Sequence, residues 1–261
     1  MSEKYRLYGE KYAYTLHQDI TAVSATAKYS LGTLLEDKMG NKYRYAKTGG
    51  ASVLTQRGAW GYNYQITGHD AVPTTSAIGT SIIYVTVGGT DGIAGDGVIA
   101  ANYLKDGYVI AWHADATIIR KRILANTAVA SGGGSMTLTI EGVLPAAVTA
   151  ATETVEIFAS PYIDVRTGNG GGNHAFIGQW MGPVVTAYPY GWLLTHGPTF
   201  IDPQATVGTT HHAEVGFRHD GSIDCYDDTS AYTEHMQYAG YVLSYIAAGT
   251  QAAPFIMLDL E

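Results

Sequence analysis

The chain has 261 residues, 46% apolar and 15% charged, with 32 glycines and a net charge of −8. That balance supplies a sizeable core, excludes a basic nucleic-acid surface as the main role, and leaves little for long helices built on Glu, Lys and Leu, so an all-β fold is expected. The single cysteine, Cys225, excludes an intrachain disulfide and a cysteine-based zinc cluster. No run of about 18 apolar residues is present to span a bilayer and the start lacks a signal-peptide pattern, so folding in a cytoplasm is expected.

Residues 1–28 read as an extended N-terminal arm. Tyr5, Tyr8, Tyr12 and Tyr14 share no helical face, and Gly9 interrupts a helix. Tyrosine offers a large contact area with a polar tip, so these four are candidate interface residues. A terminus with little core of its own is ordered by packing on another surface, here expected to be a neighbouring subunit. Residues 29–80 open with a hairpin: a strand at 31–35, a turn at 36–41, and a returning strand at 42–46 with strict alternation. Glu36 and Asp37 sit at the hairpin tip, where adjacent acids read as solvated turn residues rather than a catalytic pair. Val53-Leu54 reads as the next strand.

Residues 81–166 read as a second or inserted β module, with strands at 81–87, Tyr108–Trp112, 136–140 and 155–158. The stretch 118–124, IIRKRIL, is basic but short. Within the glycine loop, residues 95–100 fit the loose dinucleotide pattern G-x-G-x-x-A, which works only ahead of a helix. No strong helix pattern follows, so these glycines read as turns. Asp91 and Asp96 lack the regular acidic spacing of a calcium loop. The glycine-rich stretch 167–173 marks a boundary.

Residues 167–261 read as a C-terminal β-barrel module. Apolar strands are expected at 177–178, 184–185, 192–194, 239–243 and 255–258, with turns at 188–191 and 247–250 and at Gly208, Gly216 and Gly221. Tyr188, Tyr190 and Trp192 are candidate interface residues in the loop region, and Trp192 suits a core equally well. Cys225 reads as a half-buried strand residue. His211, His212, His219 and His235 lie close together with Asp220, Asp224, Asp227 and Asp228. Strand neighbours point to opposite faces, and no ligand triad is recognisable, so no metal, cofactor or catalytic site is expected.

Ile177-Gly178, Tyr190-Gly191-Trp192, His196-Gly197-Pro198, Ala239-Gly240-Tyr241-Val242-Leu243 and an apolar terminus at 255–258 follow one another in that order. Near the N-terminus stand Leu31-Gly32-Thr33-Leu34-Leu35, residues 41–46 (NKYRYA) and Gly49-Gly50. Together they resemble the capsid decoration (cement) proteins and related virion structural proteins of tailed bacteriophages, whose small β-barrel is called a β-tulip. The strand–Gly–strand–hairpin pattern near 29–65 is itself loosely similar to the unit after 176, so the two ends read as complementary parts of one sheet system with 81–166 inserted. The family resemblance implies no catalysis, a homotrimer, and a place on the outer capsid surface against the major capsid protein. It also implies synthesis in the host cytoplasm, and no direct contact with nucleic acid or membrane. Two other readings are a tail, head–tail or head-fibre component, and a carbohydrate-binding module using Trp60, Trp112, Trp180 and Trp192.

Overall fold

A computed structural model of the chain describes residues 6–7, 18–49, 53–61, 66–67, 70–92, 94–113, 115, 117–168, 174–184, 189–203, 207, 213–226, 236–244 and 254–261. Among the described residues the regular structure is all strand, so the chain is all-β. The first four strands are β1 (Arg6–Leu7), β2 (Leu34–Glu36), β3 (Lys42–Lys47) and β4 (Gly58–Gly61). Then come β5 (Asp70–Ala71), β6 (Ile82–Val87), β7 (Tyr108–Trp112), β8 (Ile118–Asn126), β9 (Gly134–Ile140) and β10 (Thr154–Phe158). The last seven are β11 (Val165–Arg166), β12 (Phe176–Trp180), β13 (Tyr190–Phe200), β14 (Glu214–Phe217), β15 (Ile223–Cys225), β16 (Gln237–Ser244) and β17 (Phe255–Asp259).

The chain divides into two compact units: Met1–Tyr62 with Tyr162–Glu261, and Asn63–Pro161. The two ends thus form one unit, and the intervening segment begins well before residue 81. The turn-rich stretch ahead of β6 belongs to that segment because its backbone is pinned there. Ile66 N–H donates to the Ile157 carbonyl at 2.8 Å, and Val72 N–H to that of Glu153 at 3.1 Å. Ser76 forms an isolated bridge with Val148.

The unit made by the two ends holds an antiparallel, nearly closed, barrel-like sheet in the order β1-β2-β3-β13-β17-β16-β14-β15, with β12, β4 and β11 branching from β13. β13 is its hub. Its first half pairs with β3 and, through Leu193 and Leu194, with β12, whereas its second half pairs with β17. Both edges of its first half are therefore paired, and side chains cover both of its faces. Trp192 and Leu194 point into a cluster with Tyr43, Tyr45, Phe217, Ile256 and Leu258. Leu193 points into another with Val53, Ala59, Val165 and Trp180. A strand buried on both faces reads as a continuous apolar run, which explains YGWLL.

Several sequence expectations change here. The strand placed at 53–54 lies later, at β4, whose GAWG sequence is buried at every position and so shows no alternation. The strand expected at 192–194 runs on through His196-Gly197-Pro198, all within β13. Pro198 is tolerated because β13 pairs only with β17 at that point, its β3 ladder having ended at His196. Gly216 lies inside β14, whereas Gly221 does make the β14–β15 turn, with a φ of +80°. Within the N-terminal segment, residues 18–28 are tied to their own barrel, with Ser24 bridged to Tyr190. The expected turn at 247–250 and Gly208 fall outside the described residues.

The segment Asn63–Pro161 forms its own six-stranded antiparallel sheet, in the order β5-β10-β7-β8-β9-β6, curved into a half-barrel. Alternation builds it. Ile83, Val85 and Val87 of β6 are buried, as are Met136, Leu138 and Ile140 of β9 and Val155 and Ile157 of β10. The basic stretch 118–124 lies within the nine-residue strand β8.

Candidate functional site

The residues singled out in Tyr190-Gly191-Trp192 meet the end of the N-terminal segment in an aromatic cluster. Trp192 and Tyr45 are fully buried. Their ring centroids lie 5.0 Å apart, and Tyr29 sits 5.2 Å from each. Tyr190 stacks on Tyr45 at 6.1 Å, and the Lys47 ammonium lies 5.6 Å above the Tyr190 ring. Strand order explains the convergence, because Trp192 is the register partner of Tyr45, and Tyr190 that of Lys47.

Gln18 locks the N-terminal segment onto this cluster. Its amide nitrogen donates to the carbonyls of Ala22 and Tyr190, at 2.9 and 2.8 Å. Its side-chain oxygen accepts the Tyr45 hydroxyl at 2.7 Å, and its carbonyl accepts the Trp192 indole N–H at 3.3 Å. The Lys28 N–H then donates to the Tyr45 hydroxyl at 3.1 Å. Burial of the Tyr45 hydroxyl, which disfavours its ionised form, pushes its pKa up to about 12. Burial also raises that of Tyr190.

These positions sort the sequence candidates. Trp192 is a core residue with no surface to offer a partner, which corrects its reading as an interface residue. Tyr190 is half-buried and reaches the surface beside Lys47. Tyr5, Tyr8, Tyr12, Tyr14 and Tyr188 lie outside the described residues. Sequence reasoning missed Tyr29, Tyr45 and Gln18. Strict alternation in KYRYAK places Tyr45 on the same face as Tyr43, whereas nothing in the sequence marks Gln18. Of the tryptophans considered for sugar stacking, Trp60, Trp180 and Trp192 are buried, and Trp112 alone is half-exposed.

Several other polar groups among the described residues are engaged locally, whereas His211, His212, His235, Asp227 and Asp228 lie outside those residues. His113 lies between two carboxylates, with Nδ1 3.1 Å from Asp115 and Nε2 2.9 Å from the buried Glu153. Both ring nitrogens face carboxylates, so neither is left to serve a substrate. Asp91 accepts the Gly88 N–H at 2.6 Å and Asp96 the Val98 N–H at 3.0 Å, so each closes a local turn. The glycines at 95 and 97 make turns with positive φ, and no helix follows them. Beside this loop lies a cavity of about 250 Å³, bordered mainly by Ile66, Val98, Ile99 and Tyr103. Among the described residues no group of three His, Cys, Asp or Glu side chains is placed to hold a metal ion. Within the same residues no helix is long and apolar enough to cross a membrane. Cys225 is half-buried in β15.

Comparison with protein-family models, curated proteins and solved structures gives no match for this chain.

Proposed function

We propose that this protein is a structural component of a tailed-phage virion that decorates the outer capsid surface and stabilises contacts between capsomers. The major capsid protein is its partner, and the protein acts as a homotrimer made in the host cytoplasm. One observation carries this reading. The segments on which the resemblance rests come from opposite ends of the chain, yet their strands fall in one barrel-like sheet: β2, β3, β13, β17 and β16 are consecutive in it, and β12, which carries Ile177-Gly178, pairs with β13. A motif set scattered over the sequence thus corresponds to one structural unit. The physical logic agrees, since weak contacts repeated over a lattice gain by multivalency and need no catalytic centre. Loops on a rigid β scaffold can vary without disturbing it.

Immunogold electron microscopy on intact particles tests the proposal. Label spread over the shell is expected. Label confined to the tail or neck, or its absence from particles, refutes a decorating role.

A further inference from the structure

We infer that the outer sheet face of the segment Asn63–Pro161 joins a second copy of this chain about a two-fold axis running along β7. Strand register builds this face. Phe158 of β10, Tyr108 of β7 and Arg122 of β8 form one cross-strand row. Glu156, Ile110 and Arg120 form the next, and Thr154, Trp112 and Ile118 the third. The residues between them, Val109, Ala111, Ile119, Val155 and Ile157, point the other way and are buried.

Solvent exposure marks the outer face as a surface. Ile118 is 60% exposed and Tyr108 39%, and the others are half-buried or exposed. Large apolar side chains on an outward sheet face, mixed with arginine, match the composition of interface centres. The Arg120 guanidinium lies 5.4 Å from the Tyr108 ring centroid, and Arg122 is paired with Asp106.

Charge order selects the partner. The middle row runs acid, apolar, base. When two such faces pack with strands aligned, a two-fold axis along β7 sets Glu156 of each copy against Arg120 of the other. Ile110, Tyr108 and Trp112 then meet their own counterparts, and Phe158 meets the second Arg122. An axis across the strands would instead set Arg120 on Arg120 and Glu156 on Glu156, a juxtaposition that like-charge repulsion disfavours. The face is therefore self-complementary in one orientation. The inference is independent of the virion reading, because it rests on this unit alone.

The test is sedimentation of the full chain over a concentration series, comparing wild type, Arg120→Glu, Glu156→Arg and the double exchange. The wild type and the double exchange are expected to associate alike. Each single reversal places like charges together, raises the concentration for half-association by roughly 100-fold, and halves the particle mass below it. Ile110→Arg, at the axis, is expected to act like a single reversal. Equal association in all variants would place the contact elsewhere. A double exchange no better than the singles would deny the charge pairing, and a wild type monomeric at every concentration would leave the face to a different partner. Each of these three results overturns the inference.

Discussion

Replacing Tyr45 by Phe removes one hydroxyl and keeps the ring cluster, so it isolates the polar lock on the N-terminal segment. Two groups lose their partner: the Lys28 N–H, which donates to this hydroxyl at 3.1 Å, and the Gln18 side-chain oxygen, which accepts from it at 2.7 Å. A buried polar group left unpaired costs about 1–3 kcal/mol, and relief from burying the hydroxyl offsets part of that, so a net loss of about 2 kcal/mol is expected. Denaturant unfolding should show a lower midpoint with an unchanged slope. The same variant carries an alkaline signature. The folded chain holds this proton up to about pH 12, whereas the unfolded chain releases it from the ordinary value of 10.0. The raised folded pKa gives stability that is fully present below pH 10.0 and is lost as pH rises through about 12. The wild-type advantage over Tyr45→Phe should therefore shrink in that window, by about 1.4 kcal/mol per pH unit at most. A variant as stable as wild type at neutral pH, or a difference independent of pH between 10 and 12, would refute the assignment of Tyr45 as the buried lock.

Three further outcomes follow from the packing. Asn126→Ala should cost about 3 kcal/mol in thermal or denaturant unfolding, since its side chain accepts from Leu104 N–H and donates to the Ala100 and Thr127 carbonyls, all at 2.9 Å. Gly191→Ala should lose about 2–3 kcal/mol, because its Cβ would enter the fully buried Trp180 ring; denaturation read by tryptophan fluorescence checks this. His174 stacks on Trp60 at 4.7 Å, and burial, aided by Arg166, holds its pKa below the ordinary 6.5. A depressed folded pKa gives stability that is present above 6.5 and lost as pH falls through the folded value, so His174→Phe should remove that acid sensitivity in melting scans from neutral to acidic pH.

Much of the fold was legible where one face of a strand is buried and the other is wet. Residues Tyr108–Trp112 alternate and form β7 with the expected bounds, and 81–87, 136–140 and 155–158 agree with β6, β9 and β10 to within two residues. Legibility failed where both faces are covered, as in GAWG of β4, because full burial erases alternation. It failed again at Pro198, where the local rule against proline in strands yields to an edge that only the tertiary pairing creates. The start of the inserted unit was obscured because turn-rich residues 66–80 hold only a two-residue strand, β5 on β10, and an isolated bridge, Ser76 to Val148, too short to leave a periodic pattern. At the candidate site, Tyr190 and Trp192 stood out by composition. Their partner Gln18 did not, since its role depends on hydrogen-bond partners 172 and 174 residues away.

The most direct test of the proposed role is the number of copies of this chain in purified particles, measured by quantitative mass spectrometry against the major capsid protein. Decoration of the whole lattice predicts a ratio near about one chain per capsid subunit. About a dozen copies or fewer per particle would contradict it in favour of a tail or vertex position, and complete absence would contradict any virion role.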